Sequence, residues 1–352
     1  MLSHKRVATE LIIFVFFLMQ LGTKAVSSQG SRDVIVYQDS TRRFGQICIT
    51  DTGRKTCLTN DLNGENWAPL WSPDKKFIAF LSNRAGSRGL YVMDANGRKL
   101  SEVMTFQSQN ESATFEWTST GSHLVIDLIR RVENGYQLTL YLADPYGEKC
   151  VLFSQPSETT RSPICHSGSL QNRILFHVIN DGSMNVFSME PNSLSSTQLT
   201  HATHAVYSGA LSPDGKHIAL LYHKLPESEN LNPQLYIMQA DGTNLRYITD
   251  LHASPAPYRW SPDSTQIAFT AQREGDRHPS INVVAIHELE IRQLTDGDTI
   301  DILEDWSPDG QQIVFSRLSN PFEPWKMIVV NSDGTDPHVV VECGNRRCEA
   351  DW

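Results

Sequence analysis

The 352-residue chain lacks several features that would settle its class at once. There is no G-x-S-x-G nucleophile motif, and its repeating segments leave no room for the sheet and helices that carry a Ser-Asp-His triad. A hydrolase of the prolyl oligopeptidase kind is therefore not expected. No block of like charge occurs, and 40 acidic against 30 basic residues give a net charge of -10, so nothing offers a footprint for a phosphate backbone and no nucleic acid is expected as partner. The acidic stretch LEIRQLTDGDTIDILED, with Asp296, Asp298 and Asp301, lacks calcium-loop spacing and reads as solvated turns. The apolar run from Leu11 to Leu18 falls short of the roughly 20 residues a membrane span requires.

That short run has another reading. His4, Lys5 and Arg6 precede it and Thr23-Lys24-Ala25 follows, the order of a secretory signal with a small-residue cleavage site. Residues 1–25 are expected to be removed, leaving residues 26–352 as one domain outside the cytoplasm, periplasmic or secreted, with no integral membrane span. Asn110-Glu111-Ser112 is a glycosylation sequon, relevant only in a eukaryotic source.

The sequence is otherwise organised by repetition. PLWSPDKKFIAF, YRWSPDSTQIAF and EDWSPDGQQIVF are copies of one hairpin. With the Trp as marker, equivalent positions are Trp71, Trp117, Cys165, Leu211, Trp260, Trp306 and Trp352, spaced by 46, 48, 46, 49, 46 and 46 residues. A period in the forties suits the four antiparallel strands of a propeller blade. Pro-Asp presets the turn between strands one and two, apolar β-branched segments such as Ile78-Ala79-Phe80 form strand two, and Asp241-Gly242 or Asp333-Gly334 turns separate strands three and four. The recurring Trp residues are expected to pack between blades; Trp67 and Trp325 break that pattern, and Trp325, with Phe322 in a variable loop, is expected to pack on that loop, the alternative being an exposed aromatic contact.

Residues 33–60 supply strands two to four of a blade but no strand one, and CEADW at the end is a strand one alone. The expected fold is thus all-β, a seven-bladed β-propeller of four-stranded antiparallel blades closed by a C-terminal strand that completes the first blade. The W-S-P-D-G, I-A-F, Y-V-M-D-x-x-G and L-T series resembles the TolB-like, WD-repeat-like family of Pro-Asp propeller repeats. Similar repeats occur in periplasmic TolB proteins, in propellers of prolyl oligopeptidase-like enzymes and in some pectin-fragment lyases. TolB itself sets an α/β domain before a six-bladed propeller, whereas seven units and no such domain are read here.

Six cysteines in an exported chain point to disulfides. Cys343 and Cys348 flank GNRR before the closing strand and form the first candidate pair. Cys48 and Cys57 would face each other if a two-residue turn at Thr52-Gly53 joins their strands. Cys150 and Cys165 fall on strands roughly 14 Å apart, beyond the roughly 7 Å reach of a bridge, and are read as not paired to each other.

The residues five to seven before each marker should converge at the channel mouth: Glu65 and Asn66, Glu111, Thr160, His204, Asp301, and Arg346 with Arg347. Their mixed polarity suits a peptide or polar ligand, or a hydrated rim. His201 and His204 form the sharpest metal candidate, by analogy with channel-mouth histidines of the lyase relatives, but no third ligand is identifiable. The expectation is a non-enzymatic, monomeric scaffold that binds a protein or peptide at the channel mouth and blade loops, without a cofactor. The competing class is a metal-assisted polysaccharide lyase or hydrolase centred on those histidines.

Overall fold

The computed structural model describes residues 34–51, 54–60, 64–118, 120–133, 135–154, 174–180, 183–190, 195–201, 206–222, 234–248, 252–273 and 275–352. The leader, Thr160, Cys165 and His204 lie outside these residues, as does the side chain of Cys150, so the expectations attached to them are not addressed by it. Seven antiparallel sheets follow one another along the chain, with no helix among the described residues.

Blade 7 is representative: Ile300–Trp306, Gln312–Leu318, Trp325–Asn331 and His338–Gly344 lie side by side in chain order from the axis outward. The axial strands of the other complete blades are Asn66–Trp71 (blade 2), Glu111–Trp117 (blade 3), Val206–Leu211 (blade 5) and His252–Trp260 (blade 6). Blade 4 contributes three described strands from Ile174 to Gln198, its axial position falling outside the described residues. Second strands such as Phe77–Ser82 are apolar throughout because neighbouring blades cover both faces. The core accordingly lies between blades. Ala268 and Val283 of blade 6 pack on Trp306, Phe315 and Ile328 of blade 7.

The marker tryptophans act between blades as expected. The Nε1 of Trp117, Trp260 and Trp306 donates to the carbonyls of Leu70, Ala210 and Arg259 at 3.2, 3.0 and 3.1 Å, each on the axial strand of the preceding blade. Removing one of these rings would open a cavity and cost about 3–5 kcal/mol.

The first blade contains Val34–Asp39, Gln46–Asp51 and Arg54–Cys57, and the C terminus completes it. Val36 and Asp351 exchange two main-chain hydrogen bonds of 2.9 Å, and Gln38 N donates to Cys348 O at 2.7 Å. The closing segment makes a bridge rather than a regular strand, because Glu349 adopts a positive φ of 45° within it. Its last two residues are fixed in other blades: Trp71 N donates to Asp351 Oδ2 at 2.8 Å and Trp352 N to Asp305 Oδ2 at 3.0 Å.

Both candidate disulfides are present. Cys343 and Cys348 are bonded with Cα atoms 5.4 Å apart, clasping the start of the closing segment. Cys48 and Cys57 are directly opposed and bonded, and the pairing of Asp51 with Arg54 leaves two residues for the turn.

Candidate functional site

Strands alternate in direction, so connections entering each axial strand share one end of the ring with the loops between second and third strands. Here the expected mouth residues divide into two sets. Asn66, Glu111 and Asp301 begin axial strands and face register partners on their own second strands, namely Ser82, Arg130 and Arg317. Asp301 is fully buried and accepts from Arg317 Nε and Nη2 at 2.7 and 2.8 Å, which holds the guanidinium even further above its usual range. Glu111 accepts from Arg130 Nε at 2.7 Å and from Gln107 N at 2.6 Å. Asn66 Oδ1 accepts from Ser82 Oγ at 2.8 Å and Arg84 Nη2 at 2.7 Å. These three staple each blade's own edge.

The second set works between blades. Arg346 pairs with Glu65 of blade 2 at 2.6 Å, and Arg347 pairs with Glu304 of blade 7 through contacts of 3.0 Å. Both arginines lie in the loop that the Cys343–Cys348 disulfide closes, so the ring closure also positions the site.

Behind this rim is a cavity of about 440 Å³, walled by the axial strands of blades 2 and 3, by Pro257 and Arg259 of blade 6, by Glu304 and by the closing segment. Its apolar wall is formed by Trp67, Leu70, Phe106 and Phe115, and its charged groups are Arg88, Arg131, Arg259 and Arg347 with Glu111, Glu304, Glu349 and Asp351. The wall is shaped by an irregularity in the repeat. Register slips between Trp67 and Leu70, where Ala68 takes a φ of 50°, and the freed Ala68 N–H donates to Glu349 Oε2 at 2.8 Å. Two left-handed non-glycine residues therefore meet at this wall, a form of strain that clusters at functional sites. Burial pushes the Glu349 carboxyl upward, while Arg347 and the Ala68 amide act in the opposite direction.

Sequence reasoning did not single out Phe115, Arg88, Arg259 or Glu349, and noted Trp67 only as a tryptophan outside the repeat pattern. The available signal was proline inside two axial strands, Pro69 and Pro257, which marks a bulge or an irregular edge. His201 is exposed. Among the described residues, one cluster of three metal-ligand types occurs, Asp39 with Cys48 and Cys57, and its sulfurs are joined to each other. The Phe322–Trp325 loop does not pack on itself as a whole: Trp325 joins the core between blades 7 and 1, whereas Phe322 is 97% exposed. Asn320 fixes that turn through Phe322 N at 2.9 Å and Glu323, leaving the ring no neighbour to cover it.

Comparison with known proteins agrees with the architecture. The family model described as the TolB beta propeller domain matches residues 166–321. TolB from Acinetobacter baumannii superposes with a TM-score of 0.55 at 15% identity, over 90% of this chain and 65% of that one. The propeller domain of the Trilobed protease from Pyrococcus furiosus gives 0.60 at 16% identity, over 92% and 99% of the two chains. A puromycin-hydrolyzing peptidase from Mycobacterium tuberculosis gives 0.63 at 12% identity, over 93% of this chain and 54% of that one. The chain thus spans under two thirds of the TolB protein and about half of the peptidase, and at these identities the likeness is one of fold. No curated protein matches by sequence. The Pro-Asp repeats, the family match over residues 166–321 and the ring of blades together make the chain similar in fold to the TolB-like β-propellers.

Proposed function

We propose that this propeller is an exported, non-enzymatic scaffold that binds a protein or peptide through the cavity at the channel mouth. The observation that carries the reading is the cavity itself: an apolar wall of Trp67, Leu70 and Phe115 beside guanidinium groups, with volume for one or two side chains rather than a closed domain. Rim carboxylates are held by partners, as Glu304 is by Arg347 and Glu111 by Arg130, which suits recognition better than proton transfer. Ser112 and Thr114 line the cavity without a histidine beside them among the described residues, so no nucleophile and base are assembled there. The two disulfides support folding in an oxidising compartment, outside the cytoplasm.

The test is site-specific photo-crosslinking of the protein in its native compartment, with the crosslinker at Ser112 in the cavity wall or at Tyr146, which is 69% exposed at the opposite end. A defined chain captured from Ser112 and not from Tyr146 is expected. Capture from Tyr146 alone would overturn the placement.

A further inference from the structure

We propose that the outer end of the cavity is a carboxylate subsite formed by Arg88 and Arg131, which takes the acidic group of a peptide whose apolar side chain lies against Trp67 and Phe115. The inference rests on reading the cavity as a peptide site. It follows from how the local charges are committed. Arg88 Nη2 donates to the main-chain carbonyls of Gln109 at 3.1 Å and Glu111 at 2.7 Å, and its guanidinium lies 5.9 Å from the Phe106 ring centre. Carbonyls and a ring fix the group in place without cancelling its charge. Arg131 is exposed; its main-chain N–H donates to Asn110 O at 2.9 Å, and among the described residues no carboxylate pairs with its side chain. Glu111, the acid that begins the same blade's axial strand, is already engaged by Arg130 and Gln107.

Two guanidinium groups beside an apolar wall, neither paired with a carboxylate among the described residues, stand out in a chain of net charge -10. A guanidinium offers a planar fork of donors that matches a carboxylate, and the adjoining aromatic surface asks for an apolar group next to it. An aromatic or aliphatic residue close to a free C terminus meets both demands, as does one beside an aspartate or glutamate side chain. A polyanion does not, because the remainder of the molecule repels it.

Three N-terminally fluorescein-labelled peptides separate these sources by fluorescence anisotropy on the disulfide-intact chain: Ala-Gly-Leu-Phe with a free C terminus, its C-terminal amide, and Ala-Gly-Phe-Glu-Ala amide. At least one acidic peptide is expected to bind about tenfold or more tightly than the neutral amide at low salt, with the preference shrinking as salt is added. Preference for the free acid assigns a chain terminus; preference for the internal glutamate assigns a side chain. Arg131→Gln is expected to remove most of the preference without changing the melt, since that exposed side chain has no ion-pair partner among the described residues, and Arg88→Gln is checked by its melt because it forfeits two backbone hydrogen bonds. Equal affinity for all three peptides would overturn the carboxylate subsite and leave the cavity reading intact. Absence of binding by any of them at millimolar concentration would also overturn it, and crosslinking from Ser112 then decides whether the wider reading falls too.

Discussion

The two ends of the ring are built on different plans. At one end, the turns between first and second strands repeat a single arrangement: the Oγ of Ser72, Ser212, Ser261 and Ser307 donates to Asp74, Asp214, Asp263 and Asp309 at 2.8, 2.7, 2.6 and 2.6 Å. The turns between third and fourth strands add Asp94, Asp144, Asp241 and Asp333, each accepting from the N–H two residues on. These carboxylates are consumed by their own turns. At the other end one staple recurs in two blades, Glu111 with Arg130 and Asp301 with Arg317, and the remaining pairs are single: Glu65 has Arg346, and Glu304 has Arg347. Repetition specifies the scaffold, and departure from repetition makes the cavity.

The largest effect should come from cutting where the two plans are joined. Deleting Cys348–Trp352 removes the bridge to Val36, the contacts to Trp71 and Asp305, and the cavity wall carried by Glu349. It also exposes an open edge on blade 1. The expected outcome is a fall in melting temperature on the order of 10 °C or more, or loss of cooperative unfolding. A melt unchanged by the deletion would refute closure by this segment.

Next in size are the individual ion pairs of the variable end. Asp301→Ala leaves a half-buried Arg317 without its partner and should cost about 3–5 kcal/mol in denaturant unfolding. Were the loss no greater than that from a turn aspartate, the two ends would not differ as argued. Replacing Cys343 and Cys348 together by serine should cost about 2 kcal/mol, the scale expected for so short a loop, and should weaken ligand binding as well because Arg346 and Arg347 lie inside that loop.

The sequence displayed one plan more clearly than the other. Trp260 and Trp306, the Ser-Pro-Asp turns and the lone closing segment were legible because a period near 46 residues fixes each position relative to its copies. The facing of Cys48 and Cys57 was legible because turn length sets register. Asp301 and Glu111, expected as ligand groups at the mouth, lie at the starts of axial strands and face Arg317 and Arg130 on their own second strands. Periodicity locates a residue along a strand but does not say which arginine a neighbouring strand presents. The cavity was hidden for a related reason: it depends on the slipped register at Ala68 and the left-handed Glu349, which break the pattern that made the remainder readable.

The smallest effect belongs to a single turn of the repeating end, where pH supplies a sign as well as a size. Burial raises the Asp263 pKa, but hydrogen bonds from Ser261 Oγ and from Thr265 N and Oγ1 outweigh it and hold the carboxyl below its usual value. A carboxylate with a lowered native pKa contributes stability that is fully present above its unfolded pKa, about 3.9, and is lost as pH falls through the native value. Asp263→Asn should therefore cost about 0.5 kcal/mol at neutral pH, a figure reduced for the solvent exposure of the turn, and the difference from wild type should shrink below about pH 4. At pH 7, Asp309→Asn in the equivalent turn should also cost little, whereas Asp301→Asn at the opposite end should cost several times more. Unfolding curves at neutral pH for the three variants, and at acid pH for Asp263→Asn, measure this directly. Three equal losses would mean that the ends differ in sequence but not in how they hold their charges.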